Sequence, residues 1–416
     1  MKTLKSLIYL SKGNLPSKMA HSIQTAKMAQ AFSQKIEHFE LVTSGDIFSA
    51  LKGIDSEFQD WYGLYYKFKL VRLPIHIKLK YPFPQDYENF IFYKLAILYA
   101  CLKSPFLIYT RSFPVVEILL RMRIPVLWEW HEPVSEKLKS ICKELFNNNN
   151  LIGVVTTLPQ LAENYLNHGL LPEKILIAPN AVDIKNFLPY HDKTLARQKL
   201  SLRQDIKIVL YSGHLYDYKG IPTILKTACL MPECEFVLVG GWTNDINRVK
   251  AACQKMNLQN IKVFGYVPQS ELALYLYAAD ILILPTSKYW DLAEATCPLK
   301  LFDYMVAKRP IVASALPTIA TVLRDRENAL LVEPDEPLAF HAAIDTLFNN
   351  PLLADAIAER AFREVQDFTW DGRAERILQF ATERLQEVDK NATNYMRNLI
   401  EYITLKTISH SKLVKL

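Results

Sequence analysis

Short, almost wholly apolar runs alternate along this chain with longer segments whose apolar positions recur every three or four residues. The first pattern suits strands covered on both faces of a parallel sheet, and the second gives a helix one apolar stripe. In the first half, runs at 6–10, 39–43, 70–75, 106–110, 126–130, 151–156 and 175–178 predict strands. Segments 20–32, 86–102, 114–121, 135–146 and 159–168 predict helices between them. Over 187–203 the chain turns polar and unpatterned, with Pro189, His191 and Asp192, and reads as a linker. The alternation then resumes, with strands at 206–211, 235–239, 261–264, 280–284 and 310–313. Helices follow at 221–231, 269–278, 298–306 and 337–348, and from 352 to 416 the pattern is mostly helical.

Strand–helix alternation of this kind predicts an α/β protein with two doubly wound, Rossmann-like domains. Their expected bounds are 1–186 and 204–375, joined by 187–203 and followed by a helical tail over 376–416. In open α/β sheets ligands lie beyond the carboxyl ends of the strands, so residues just after strands are where chemistry is sought.

Composition narrows the class. Of 416 residues half are hydrophobic and 22% charged, and the 12 Gly and 22 Pro show no period. The chain is therefore neither collagenous nor low-complexity. Its six cysteines form no CxxC pair, which argues against a disulfide framework or zinc site and for a reducing compartment. No apolar run reaches the roughly 18–20 residues needed to span a bilayer. The opening MKTLKSLIYLSKG reads as a first strand rather than a leader. The net charge of +6 is too small to suggest nucleic-acid binding. It is unevenly spread: residues 1–190 carry 22 Lys and Arg against 16 Asp and Glu, while 191–416 carry 27 of each.

Two segments after strands stand out. Ser212-Gly213-His214 leads through Lys219-Gly220 into a helix, offering backbone N–H groups, a positive dipole end and a mobile cation to a phosphate. In isolation an ordinary turn with a surface lysine would read the same way. The second is PLKLFDYMVAKRPIVAS, from Pro298 to Ser314. Pro298 suits the first helical position, Leu299, Phe302, Met305 and Val306 form a stripe, and Lys300 and Asp303 lie one turn apart on another face. A cation for phosphate and a carboxylate for ribose hydroxyls would be at home there.

These residues carry a resemblance. PLKLFDYMVAKRPIVAS is similar to the nucleotide-sugar segment of GT-B glycosyltransferases of the family 4 type, often S-P-x-K-x-F-E-Y-M-A-x-G-x-P-I-V-A-S. Tyr211-Ser212-Gly213 with Lys219-Gly220, Val239-Gly240-Gly241, Pro179-Asn180-Ala181-Val182-Asp183 and Asn328-Ala329-Leu330-Leu331-Val332 resemble further motifs of that family in the same order. Pro16 to Ser22 looks like its loop and helix start after the first strand. The resemblance implies a GT-B fold, two such domains facing across a cleft, with the tail packing back on the first. It implies a retaining, metal-independent hexosyltransferase that moves a sugar from a nucleotide-diphosphate donor to a glycan or lipid-linked acceptor, in cell-envelope polysaccharide or glycolipid synthesis. No cofactor is expected beyond the nucleotide sugar as co-substrate.

Residue by residue, Lys219 would bind the diphosphate, and Asp303 takes the place of the second Glu of the family's E-x7-E motif, which binds ribose. The first Glu position holds Ala295, with Glu294 adjacent, and His214 stands where an Arg is usual. Backbone around Pro298, Leu299 and Lys300 would hold the β-phosphate, and Gly13-Asn14, after the first strand, would bring backbone near the donor phosphates. Trp128-Glu129-Trp130-His131-Glu132 resembles the family's Y-E-x-H-D segment, which places His131 close to the transferred sugar, with Glu129 and Glu132 as runners-up. The expected catalytic residues are His131 and Lys219, and the donor set adds Gly13, Asn14, Gly213, His214, Gly240, Gly241, Glu294, Pro298, Leu299, Lys300 and Asp303.

One feature lies outside that set. From 61 to 85 there is no Asp or Glu, but Lys67, Lys69, Arg72, Lys78 and Lys80 are interleaved with Tyr62, Tyr65, Tyr66, Phe68, Tyr81 and Phe83. Cations mixed with rings suit an anionic membrane surface or an acidic acceptor, and predict a cytoplasmic protein peripheral to the membrane. The basic stretch 406–416 would add to it. A solvated basic face beside a strand is the plainer reading. Two other functions fit the same architecture: a UDP-sugar 2-epimerase-like isomerase, and a degenerate glycan- or membrane-binding protein without activity.

Overall fold

The structure, a computed structural model, describes residues 4–46, 52–76, 85–386 and 394–402. One sheet contains β1 (Ser6–Asn14), β2 (His38–Asp46), β3 (Lys69–His76), β4 (Leu107–Thr110), β5 (Val126–Glu129), β6 (Leu151–Thr156) and β7 (Ile175–Ile177), in the order β3-β2-β1-β4-β5-β6-β7. The other contains β8 (Lys207–Ser212), β9 (Cys234–Val239), β10 (Ile261–Phe264), β11 (Ile281–Leu284), β12 (Ile311–Ser314) and β13 (Leu330–Val332), in the order β10-β9-β8-β11-β12-β13. Every pairing is parallel. Both sheets are Rossmann-like, and their order reverses between β1 and β4 and between β8 and β11, which places the ligand crevices there.

Sequence dictates this directly. β4, β5, β6, β9, β11 and β12 are buried at every residue, as continuous apolar runs between two helical layers must be. The helix Phe113–Arg121 begins on a proline turn and buries Val115, Val116, Leu119 and Leu120, one stripe of its surface.

The chain divides into two compact units, Met1–Gln59 with Leu64–Ala178 and Arg373–Leu416, and Asp60–Gly63 with Pro179–Gly372. The return to the first unit is tied by Arg373 Nε donating to Ala178 O at 3.2 Å, by Phe380 beside Gly153, and by Tyr395 OH donating to Pro105 O at 2.8 Å. Residues 394–402 include a further helix.

The structure differs from expectation in five places. The stretch 187–203 contains the helix Lys193–Lys199, capped by Asp192 accepting from Leu195 N, and Arg197 anchors it through Ala278 O and Asp280 within the second unit. Helices Ser56–Tyr62 and Thr243–Lys255 and the short strand β13 add to the predicted elements. β1 runs on through Gly13 and Asn14, where its register against β2 shifts, so these two residues end the strand rather than follow it. Among the described residues no helix is long and apolar enough to cross a membrane.

Candidate functional site

In the second unit the loop after β8 and the helix Leu299–Val306 after β11 meet at the sheet's switch point. Gly213 has φ +129°, and a Cβ built there would lie 2.5 Å from Lys300 Nζ, so only glycine leaves room for that side chain. Lys300 reaches back from the first turn of its helix and lays its ammonium over the Tyr211 ring, 3.8 Å from the centroid. Its Nζ is buried and donates no hydrogen bond among the described residues. Burial first, and then repulsion by Lys219, hold its pKa well below the usual lysine value, against a smaller opposing pull from Asp303. Lys219 ends the 3-10 turn Asp217–Lys219, and burial brings its pKa down to about 8. Two lysine amines thus converge beside a glycine loop, and among the described residues no carboxylate is paired to either.

The remaining donor-side residues surround them. Pro298 precedes the helix, whose N-terminus, at Leu299 and Lys300, has no side-chain cap, and Asn180 Nδ2 donates to Cys297 O at 2.7 Å to fix its approach. Asp303 lies half-buried one turn further on, while Glu294 is exposed in the turn Ala293–Ala295, whose Ala295 is buried. Gly240 follows β9 and donates its N–H to Phe264 O and Gly265 O, and Gly241 packs on Leu215. His214, where the resemblance expects an arginine, is engaged with its neighbours' rings. Its ring stacks on Tyr216 and Trp242, at 5.1 and 5.9 Å between centroids.

In the first unit His131 follows β5 as part of a buried polar network. Glu129 is fully buried and accepts from Gln24 Nε2 at 2.8 Å, from Arg373 at 2.6 Å, from His131 Nε2 at 2.9 Å and from the Tyr109 hydroxyl. Arg111 bonds Gln24 and lies 3.0 Å from His131 Nδ1. Burial raises the Glu129 carboxyl, but Arg373, His131 and Arg111 more than reverse this, leaving it well below the usual range. An ionised carboxylate can only accept and a guanidinium can only donate, so the imidazole is the neutral tautomer with its proton on Nε2. Burial and Arg111 agree, bringing its pKa down to about 4. Both ring nitrogens are therefore engaged within the protein, and His131 offers a substrate no lone pair unless one of those bonds opens. Glu132 is exposed. Gly13 is open, with nothing within 4 Å of a built Cβ.

The basic stretch is corrected in part. Arg72 is buried, donating to Lys52 O with its guanidinium 5.7 Å from the Phe58 ring, so it cannot face a membrane. Tyr62 and Phe68 are core residues, because the strand and its preceding helix turn these rings inward. Lys69 pairs with Glu40 at 2.5 Å, and Lys67 is exposed beside exposed Tyr66. Lys78, Lys80, Tyr81, Phe83 and 406–416 lie outside the described residues. Sequence reading missed Arg111, Gln24, Tyr109, Arg373 and Trp290. Arg373 meets Glu129 across 244 positions, and no local pattern signals such a pair.

Residues 192–364 match the family model described as glycosyl transferases group 1. The chain is 24% identical over 256 residues to the D-inositol 3-phosphate glycosyltransferase of Thermomonospora curvata, covering 57% of each. It is 24% identical over 241 residues to that of Kineococcus radiotolerans, covering 53% of this chain and 54% of that protein. The chain thus spans just over half the length of the curated relatives it matches. Among solved structures it is similar to sucrose-phosphate synthase from Thermosynechococcus elongatus (TM-score 0.74, 21% identity, 91% of this chain and 99% of that one). It is also similar to Anabaena HepE in complex with UDP-glucose (TM-score 0.70, 14% identity, 90% and 99%). These likenesses establish the GT-B class of fold for the pair of Rossmann-like units.

Proposed function

We propose that this protein is a retaining glycosyltransferase that takes a hexosyl group from a nucleoside diphosphate donor without a metal ion. The observation that carries the reading is the buried Lys300 amine, which has no hydrogen-bond acceptor among the described residues, set beside Lys219 under the Gly213 loop. A desolvated, unpaired amine is unfavourable in the empty protein, and an arriving diphosphate corrects it by supplying charge and acceptor oxygens together. As the sugar bond breaks, negative charge grows on the leaving phosphate, and two preorganised cations beside open helical N–H groups stabilise that charge most where it is greatest. Asp303, one turn along, would take ribose hydroxyls, and His131 is the sugar contact that the family resemblance implies. With His131 already bonded on both nitrogens, the proton of the acceptor hydroxyl would pass to the departing phosphate oxygen.

A glycan or lipid-linked acceptor, met at the cytoplasmic face of an anionic membrane and used for envelope polysaccharide or glycolipid synthesis, is supported by the positive excess confined to residues 1–190. The test is a thermal-shift panel of UDP-, GDP- and ADP-sugars with added chelator, followed by product analysis with acceptors. A raised melting temperature that survives chelation, with nucleoside diphosphate released only when acceptor is present, is expected. Interconversion of donor sugars without acceptor would establish an epimerase, and no shift with any nucleotide would sink the proposal.

A further inference from the structure

Lys219 lies against the Trp290 indole, its Nζ 3.6 Å from the ring centroid and 5.3 Å from that of Tyr218. The two rings stack on each other at 4.9 Å and 18°. Among the described residues no carboxylate pairs with this ammonium, and the nearby charges that act on Lys300, from Lys219 itself and from Asp303, show that the other cation of the site is close. The Trp290 loop is also locked to the Lys219 loop through backbone. A Cβ on Gly220, at φ +85°, would sit on the Pro285 carbonyl oxygen, and Ser287 N donates to Tyr218 O at 3.1 Å. Ala293 N donating to Trp290 O at 2.8 Å closes the turn that presents the indole.

A half-buried lysine has few ways to stay where a ligand needs it. A carboxylate would hold it but compete with the incoming anion for the same N–H donors. An aromatic face attracts the cation without accepting strong hydrogen bonds, so a phosphate that arrives outbids it. We propose that Trp290 is a positioning residue for Lys219: its indole holds the ammonium in the empty site until an anionic group of the ligand takes it over. This rests on the diphosphate reading of the site, and it assigns a role to a residue that no sequence motif marked.

The test is competitive acetylation of the full-length protein, with the labelling of Lys219 followed by mass spectrometry across a pH series. Trp290→Leu keeps an apolar cover but removes the ring's attraction for a cation. In that variant the amine loses its proton more readily, and at about pH 6 Lys219 should label roughly tenfold faster than in wild type. Trp290→Phe and Trp290→Tyr should restore the wild-type profile, which a purely steric role would not require. Trp290→Leu labelling like wild type, or Phe and Leu behaving alike, would overturn the assignment. If Trp290→Leu fails to fold, as judged by circular dichroism, Trp290→Met is compared with Trp290→Phe by the same criterion. A second arm adds UDP, GDP or ADP to wild type. Protection of Lys219 by any of them supports the diphosphate reading, whereas no protection overturns that reading and leaves the aromatic effect to be judged on the first arm alone.

Discussion

Replacing Lys300 by Met should strengthen the fold and weaken nucleotide binding, two effects of opposite sign from one amine. Met keeps most of the stem that packs on Tyr211 and removes only the polar end. The folded pKa of Lys300 lies well below its ordinary value of roughly 10.4, so between those values the unfolded chain binds the extra proton. Stability must then rise with pH through that window, and the penalty is largest below the folded pKa. A buried polar group without a partner costs about 1–3 kcal/mol, so the variant should gain about that much near pH 7 and less near pH 10. Binding runs the other way. A diphosphate that restores the cation draws a proton from solvent, and affinity falls roughly tenfold per pH unit for each proton so coupled. Calorimetry in two buffers of different ionisation enthalpy counts that proton. At about pH 8 wild type should take up more protons than the variant, since Lys300 adds to the fraction that Lys219, at about 8, contributes. The variant should keep only that fraction and bind about tenfold or more weakly. The reasoning fails if Lys300→Met loses stability at neutral pH, or if proton count and affinity are both unchanged.

Lys219→Ala should lower turnover by about 10²-fold or more at unchanged far-ultraviolet circular dichroism, because a preorganised charge at the leaving group is lost. Arg373→Met leaves Glu129 buried without its main counter-charge and should destabilise by about 3–5 kcal/mol in urea titration, while Arg373→Met with Glu129→Gln should recover much of this. Gly220→Ala forces a positive φ and a clash with the Pro285 carbonyl, and should cost about 1–3 kcal/mol or more by thermal unfolding. His131, at about 4 in the native state, binds fewer protons than in the unfolded chain. Stability should therefore fall as pH drops from about 6.5 to about 4, and His131→Gln should flatten that part of the profile.

Strands covered on both faces were easy to read because their side chains are nearly all apolar, with polar residues such as Thr110, Glu129 and Thr156 at the strand ends. β4, β5, β6, β9, β11 and β12 have no polar face to break the run. Thr243–Lys255 was missed for the converse reason: only Val249 and Cys253 of its 13 residues are buried, too few to print a stripe. The basic–aromatic stretch shows what composition hides. It held the right residues but not their phase, and phase decides that Tyr62 and Phe68 are core while Tyr66 is exposed. At the site, glycines and lysines after strands were visible because strand ends are marked locally. Their partners were not, since Trp290 and Tyr211 reach the lysines through a fold that brings separate loops together.

The two polar clusters differ in a way that assigns them different work. Around Glu129 each charge has an opposite charge or a matching donor: Arg373, His131, Tyr109 and Gln24 all point at one carboxylate. A buried carboxylate bonded from four sides resists rearrangement, so it holds shape and fixes a tautomer but offers little to a newcomer. Around Lys300 and Lys219 the amines face rings, and among the described residues no carboxylate pairs with either. Desolvation there is left uncompensated, and the compensation a ligand can supply becomes binding free energy. Ligand anions should therefore be sought at the open cluster, and mutations should reveal the contrast. Removing a member of the Glu129 cluster destabilises the fold, whereas removing the Lys300 amine stabilises it and empties the site of its charge.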